Sequence, residues 1–340
     1  MILLDSLYIN NSGGKVLLTY LIKELERHNL PVFYLFDQRV SYDYQDISAE
    51  RKLYLKASLK QRFLFYTKNK NRFTTVLCFG NLPPSIPLEA KVFTYFHQQL
   101  FISLPKDAPL LQKVLFRLKR IIFRFLINNT DYWLLQTDLI NRRFVDKFKV
   151  DSSKVITMPF YPKLQEDNTI VRKKHTYIYI SNGADHKNHK RLIDTFCRFY
   201  DSYKTGNLTL TIGDEFVELQ RYIENKQKLN YPIQNIGFVN REELIKVYRS
   251  SEFLIYPSLA ESLGLGLVEA IENGCKVIAA NLPYTFAVCN PSLTFNPLDE
   301  NSIFQALKDS LHENIQPSNV KINNNINKLI TLLISHENTK

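Results

Sequence analysis

The sequence predicts an α/β protein made of two Rossmann-like domains with parallel sheets, and three observations predict it. Short runs rich in Val, Ile, Phe and Tyr alternate with longer segments of helical period, the pattern of repeated β-α units. The 340 residues exceed one ordinary core and suit two. Between the halves, residues 158–175, MPFYPKLQEDNTIVRKKH, carry two prolines and then a polar, charged run with no apolar period, which reads as a linker.

In the first half, strands are expected at 2–8, 32–36, 76–79, 92–96, 132–135 and 155–158, with helical patterns between most of them. The second half repeats the rhythm with strands at 177–180, 208–212, 235–239, 253–256 and 276–279. The expected division is residues 1–165 for the first domain, 166–316 for the second, and a tail over 317–340. That tail is rich in Asn and Lys but contains the apolar run LITLLI, so it is expected to dock on the N-terminal domain.

A hydrophobic content of 45% with 23% charged residues is that of a globular protein and argues against disorder. Cys78, Cys197, Cys275 and Cys289 lie far apart without zinc or redox spacing and read as reduced core residues. The start, MILLDSLYIN, shows no basic leader followed by a long apolar run, so the cytoplasm is the expected compartment. A net charge of +11 calls for an anionic partner: nucleic acid, a membrane surface or a phosphorylated small molecule. No recognised nucleic-acid motif accompanies the charge, so nucleic acid is not expected as a partner.

The most informative stretch is FLIYPSLAESLGLGLVEAIENGCKVIAAN, residues 253–281. A buried strand feeds a loop holding Gly264 and Gly266, and an apolar helix follows that Asn273 and Gly274 stop. In an open α/β sheet, ligands gather at the carboxyl ends of strands. Glycines there let backbone N–H groups approach a diphosphate, and the helix end adds partial positive charge. Glu261 in the loop and Glu269 early in the helix can both face that cleft and accept hydrogen bonds from vicinal hydroxyls.

This segment resembles the signature of family 4 of the retaining glycosyltransferases, whose fold, GT-B, sets two Rossmann-like domains with their sheets facing across a cleft. In that family two glutamates with seven residues between them bracket the loop, as Glu261 and Glu269 do here around Leu263, Gly264 and Leu265. The resemblance implies that Glu269 holds the ribose hydroxyls and Glu261 the donor sugar. It also implies that the amides of Leu263 to Leu265 meet the sugar or diphosphate. Leu263 and Gly266 depart from the commonest Phe and Pro. Upstream, NIGFVNREEL is similar to the family's Gly-Phe-Val segment, which places Phe238 and Val239 around the nucleotide base.

A second element, YIYISNGADHKNHKRLIDTF over 177–196, resembles the first strand and loop of the family's donor domain. By that resemblance Lys187 faces the donor diphosphate, where a cation stabilises the charge that develops on leaving. Asn182 stands where many relatives have an arginine. His186 and His189 have a metal-like spacing, but no further ligand accompanies them, and no Asp-x-Asp triplet occurs. The expected enzyme therefore needs no metal and no cofactor.

In the first half, Gly13 and Gly14 read either as a turn or as a glycine loop against a phosphate, and the family resemblance favours the loop. His97 follows a strand where relatives carry a histidine near donor sugar and acceptor, and it is counted with Glu261 and Lys187 as a catalytic candidate. Gln136 and Thr137 fall in a segment that is also similar to the family.

Residues 110–127 read as a helix in which Lys113, Arg117, Arg120 and Arg124 form one stripe among apolar residues. Five cations exclude a membrane span. The helix is either a surface binder of anionic membranes or a domain helix with a basic outer stripe. The resemblance as a whole implies transfer of a hexose, with retention, from a nucleotide diphosphate sugar to a saccharide or lipid-linked saccharide in bacterial surface polysaccharide assembly, in the cytoplasm or at the inner membrane face. The alternative readings are a carbohydrate- or nucleotide-binding relative without activity and, behind it, a basic nucleic-acid-binding protein.

Overall fold

A computed structural model of the chain describes residues 1–104, 109–164 and 170–335. The chain divides into two compact units, Met1–Pro162 with Asn323–Lys340, and Lys163–Ile322. The expected boundary between 165 and 166 lies outside the described residues, as do the last five residues of the expected 317–340 tail.

The first unit runs β1 (Ile2–Asp5), α1 (Ser12–Arg27), β2 (Val32–Asp37), β3 (Lys52–Leu55), α2 (Leu59–Lys68), β4 (Thr75–Cys78), β5 (Lys91–Phe96), α3 (Gln99–Ile102), α4 (Leu110–Leu126), β6 (Tyr132–Leu135), α5 (Asp138–Phe148) and β7 (Val155–Thr157). Its seven strands lie in the order β3-β2-β1-β4-β5-β6-β7, all parallel. Strands such as ILLD, VFYLFD and TVLC are buried along their whole length, as a sheet covered on both faces requires. Two charged groups are among them, and Asp37 at the end of β2 pairs with Arg39 at 2.7 Å. Asp5 at the end of β1 receives Arg62 Nε at 2.8 Å and the Tyr66 hydroxyl at 2.6 Å. Arg62 also donates to the carbonyls of Leu82 and Pro83, so the buried pair is satisfied on all sides.

The second unit contains β8 (Lys173–Tyr179), α6 (His189–Tyr203), β9 (Asn207–Leu210), α7 (Val217–Lys228), β10 (Ile233–Asn235), α8 (Arg241–Ser250), β11 (Ser251–Tyr256), α9 (Leu265–Glu272), β12 (Lys276–Ala280), α10 (Pro283–Val288), β13 (Cys289–Asn290), β14 (Leu293–Phe295), α11 (Glu300–Asp309) and β15 (Asn319–Val320). Six parallel strands follow the order β10-β9-β8-β11-β12-β14. In both sheets the strand order reverses direction at one place, between β1 and β4 and between β8 and β11. Ligands of open α/β sheets bind at such switch points.

A last helix, α12 (Ile326–Ser335), buries Ile326, Leu329, Ile330 and Leu333 and packs on α1 in the first unit. Residues 317–322 stay with the second unit, where Ser318 Oγ accepts from Val277 N and β15 pairs with β13. All four cysteines are free and buried.

Two expected strands end three or four residues early. The first stops at Asp5 rather than at residue 8, and Tyr8 has φ of 83°. The strand expected over 235–239 is β10, Ile233–Asn235. Gly237 has φ of 69°, outside strand geometry, and the Asn235 side chain ties back to both N and O of Ile212.

Helix α4 corrects the expected stripe of four cations. Arg120 is not part of the exposed row: its Nε donates to Phe101 O at 2.6 Å and its Nη2 to Leu100 O at 3.1 Å. Lys113, Arg117 and Arg124 remain exposed. No helix among the described residues is long and apolar enough to cross a membrane.

Candidate active site

The second unit's switch point gathers those of the singled-out residues that lie on the loops after β8 and β11. β8 and β11 are neighbours, with Phe253 opposite Tyr177 and Leu254 opposite Ile178. Their carboxyl ends, Tyr179 and Tyr256, bring two loops together, one over 180–188 and one over 257–264. Leu259 N donates to His186 O at 2.8 Å and Asn188 Nδ2 to Pro257 O at 3.3 Å, which fixes the loops to each other. Asn188 adopts φ of 61°, a conformation that asparagine tolerates.

Lys187 is held at both backbone ends. Its N–H donates to Ala184 O at 2.8 Å and its carbonyl accepts the Tyr179 hydroxyl at 3.0 Å. So placed, Lys187 Nζ reaches Glu261 Oε1 at 2.5 Å, and the Tyr256 hydroxyl donates to the same oxygen at 2.9 Å. The pair is largely withdrawn from water, with side chains 14% and 12% exposed. Burial alone would raise the Glu261 pKa. The Lys187 charge and hydrogen bond outweigh it and hold the carboxyl below its usual value.

Glu269 lies in α9 and is buried. Its Oε1 accepts from Arg241 Nη1 at 2.9 Å and its Oε2 from the Tyr248 hydroxyl at 3.3 Å. Here burial prevails over the Arg241 charge and raises the pKa, because Arg241 is itself partly in water. Arg241 opens α8, whose start is fixed by a capping box of Asn240 and Glu243. Phe238, just before it, is 87% exposed, and Val239 is half-buried.

The glycines have identifiable neighbours. Gly264 caps α9 with φ of 67°, so Leu265 and Gly266 belong to the first helical turn rather than to the loop. A Cβ on Gly266 would lie 3.3 Å from the Tyr256 ring. A Cβ on Gly183 would lie 2.5 Å from Phe216 Cγ, so only glycine fits beside Asn182. Leu263 is buried. Asn182 shapes its own loop: its Oδ1 accepts from Ala184 N at 3.4 Å and its carbonyl bonds His189 Nε2 at 2.9 Å. His189 is buried under Tyr179 with its pKa pushed down to about 4 by burial, and is therefore neutral. A cavity of about 450 Å³ opens beside this loop, lined by Gly183, Asp185, Lys190, Glu215 and Phe216 among others.

In the first unit, Gly13 and Gly14 lie within the first turn of α1. A Cβ on Gly14 would sit 3.3 Å from His97 Cε1, so these two sequence candidates meet, while Gly13 has open space around its Cα. His97 follows β5, and its N–H donates to Asn81 Oδ1 at 2.7 Å. Its ring packs on Phe79 and Tyr95, with centroids 5.0 and 5.9 Å away. Burial pushes its pKa down to about 4, so the imidazole is neutral at neutral pH. Thr137 caps α5 through Ile140 N, a structural role.

Sequence reasoning missed Arg241, Tyr248, Tyr256 and Gly183. The tyrosines had a signal, since a buried tyrosine hydroxyl needs a partner. Arg241, in the first turn of a polar helix, had none.

Comparison with known proteins follows the same lines. Residues 161–325 match the family described as glycosyl transferases group 1, so that this part of the chain is a glycosyl transferases group 1 domain. The O-antigen chain mannosyltransferase RfbU of Salmonella typhimurium is 27% identical over 204 residues, 56% of this chain and 55% of that protein. The capsular polysaccharide biosynthesis glycosyltransferase CapH of Staphylococcus aureus is 25% identical over 146 residues, 38% of this chain and 39% of that protein. The chain thus matches about half or less of these curated relatives' length. Sucrose-phosphate synthase from Thermosynechococcus elongatus superposes with a TM-score of 0.72 at 16% identity, covering 92% of this chain and 90% of that one. The two parallel-sheet α/β domains are those of the GT-B fold.

Proposed function

We propose that the chain carrying this glycosyl transferases group 1 domain is a retaining glycosyltransferase. In this reading it moves a hexose from a nucleotide diphosphate sugar to an acceptor hydroxyl without a metal ion. The observation that carries the reading is the Lys187–Glu261 pair at the β8/β11 switch point, with Glu269 one turn into the next helix. Each group of the pair has chemistry that the donor supplies with a new partner. The donor diphosphate brings negative charge for the Lys187 ammonium, and the sugar brings hydroxyl donors for the Glu261 carboxylate.

Glu269 then accepts from the ribose hydroxyls, Phe238 and Val239 frame the base, and the amides of Leu263, Gly264 and Leu265 face the sugar or diphosphate. As the glycosidic C–O bond breaks, the electron pair leaves with the diphosphate, where Lys187 stabilises it. The acceptor oxygen bonds the anomeric carbon on the same face, and its proton passes to the departing diphosphate oxygen. Glu261 binds and does not form a covalent intermediate. In the first unit, the neutral His97 and the Gly13 and Gly14 turn are read as the functional groups.

The relatives' own roles, O-antigen and capsular polysaccharide synthesis, support a saccharide acceptor, here read as a lipid-linked one at the cytoplasmic side of a bacterial membrane. A thermal-shift screen with free UDP, GDP, ADP and CDP tests the donor side. A nucleotide at 100 times its dissociation constant adds about 2.7 kcal/mol. One nucleotide should stabilise the protein clearly above the others, and a response to none would overturn the reading.

A further inference from the structure

Helix α4 is amphipathic in the opposite sense to a helix that only packs on its own domain. Its buried side chains are Phe116 and Phe123. Phe123 is fully enclosed, with ring centroids 4.6 Å from Phe148 and 5.3 Å from Trp133, and Phe116 meets Phe101 at 5.6 Å. Residues advance by about 100° around a helix, so the direction opposite these anchors carries Val114, Leu118, Ile121 and Phe125, widened by Leu110, Leu111 and Leu115. All seven are exposed, Leu111 to 81% and Phe125 to 80%.

Cations border this apolar face on both sides. Lys113, Arg117 and Arg124 form one edge and Lys119 stands on the other, all exposed, and α4 contains no acidic residue. Arg120 is excluded because it serves the carbonyls of Leu100 and Phe101. An anionic bilayer matches both features, taking apolar side chains at the acyl boundary and cations at headgroup level. A second copy would set cationic borders against each other, and a nucleic-acid backbone would leave the leucines and Phe125 without a partner.

We propose that α4 docks the protein on an anionic membrane surface, with Leu111, Leu118 and Phe125 inserted and Lys113, Arg117, Lys119 and Arg124 at the phosphates. This stands on α4 alone and holds whether or not the transferase reading does.

The test is co-sedimentation of the full chain with vesicles of phosphatidylcholine alone, or of phosphatidylcholine and phosphatidylglycerol in equal parts, at low and high salt. The wild type should pellet only with the anionic vesicles, and less so at high salt. Leu118→Ser with Phe125→Ser should abolish pelleting while lowering the melting temperature by no more than a few degrees, because Leu118 is 55% and Phe125 80% exposed and the remaining cost is helix propensity. Lys113→Glu with Arg117→Glu and Arg124→Glu should weaken partitioning by more than about fivefold per cation. Equal pelleting with neutral vesicles, or no effect of the Leu118 and Phe125 changes, would overturn the proposal. So would a dimer seen by light scattering that the same two changes convert to monomer.

Discussion

Glu261 and Glu269 are eight positions apart, both withdrawn from water and each paired with a cation, yet they titrate in opposite directions. The difference lies in the partner. Lys187 is as buried as Glu261 and lies at 2.5 Å, whereas Arg241 is 35% exposed and its field is diluted by water. The folded pKa of Glu261 lies below its unfolded value. The stabilisation from its pair is therefore complete above the ordinary carboxylate range and is lost as pH falls through the folded pKa. Thermal melts across acidic pH should lose stability more steeply for the wild type than for Lys187→Met. Parallel pH curves would contradict that assignment. Glu269 has the opposite sign, since a raised folded pKa means that its ionisation works against folding as pH rises. Glu269→Gln should accordingly leave the neutral-pH melting temperature unchanged or higher, while weakening a free nucleoside diphosphate by roughly 10- to 100-fold in calorimetry. Glu261→Ala should instead lower turnover with little change in that affinity.

The spacing of the two glutamates and the glycines between them was visible in the chain, and so was Lys187 before a helix. The partners were not, because Lys187 and Glu261 are 74 positions apart and Arg241 and Glu269 are 28 apart. Gly183 carried no signal either, since its need for glycine comes from the Phe216 ring at 2.5 Å from a would-be Cβ. Gly183→Ala should destabilise by about 1–3 kcal/mol, the usual range for overpacking. Adding Phe216→Ala should return part of that loss, and an additive double mutant in denaturant unfolding would contradict the contact.

Among elements, the β-α periods gave the core strands nearly where they lie, and failed where a side chain or a glycine ends a strand locally. Residues 236–239 have β-like composition but leave the sheet at Gly237. The edge strand β3, only partly buried, lacks the apolar run that marks the central strands. For α4 the period was readable and its orientation was not. Apolar and basic residues interleave closely enough that only the aromatic anchors around Phe123 decide which face is inside. At α8, the capping box places Arg241 and so connects helix stability to Glu269. Asn240→Ala should cost about 1 kcal/mol and also weaken nucleotide binding, whereas Asn240→Asp should preserve both. Denaturant melts and calorimetry on the same samples check it, and an unaltered affinity in the alanine variant would detach Arg241 from the site.

For the whole molecule, strands and helices that alternate along most of the chain imply parallel sheets through right-handed crossovers, and the two large sheets are parallel throughout. Strand order is not contained in the period. The switch points became visible only with the sheets, and they are what bring loops far apart in sequence to one edge. The net charge of +11 left three kinds of anionic partner open. The structure distributes part of it between α4, with its exposed cations, and Lys187, turned toward a carboxylate. The central claim is that this second cation serves a leaving diphosphate. Its most direct test is release of nucleoside diphosphate from a panel of nucleotide sugars, in excess EDTA, by the wild type and by Lys187→Ala. The account predicts turnover of one donor that survives EDTA and falls at least about 100-fold in the variant, the scale of losing one transition-state charge contact. Turnover of no donor, activity that returns only with magnesium or manganese, or a fully active Lys187→Ala would contradict it.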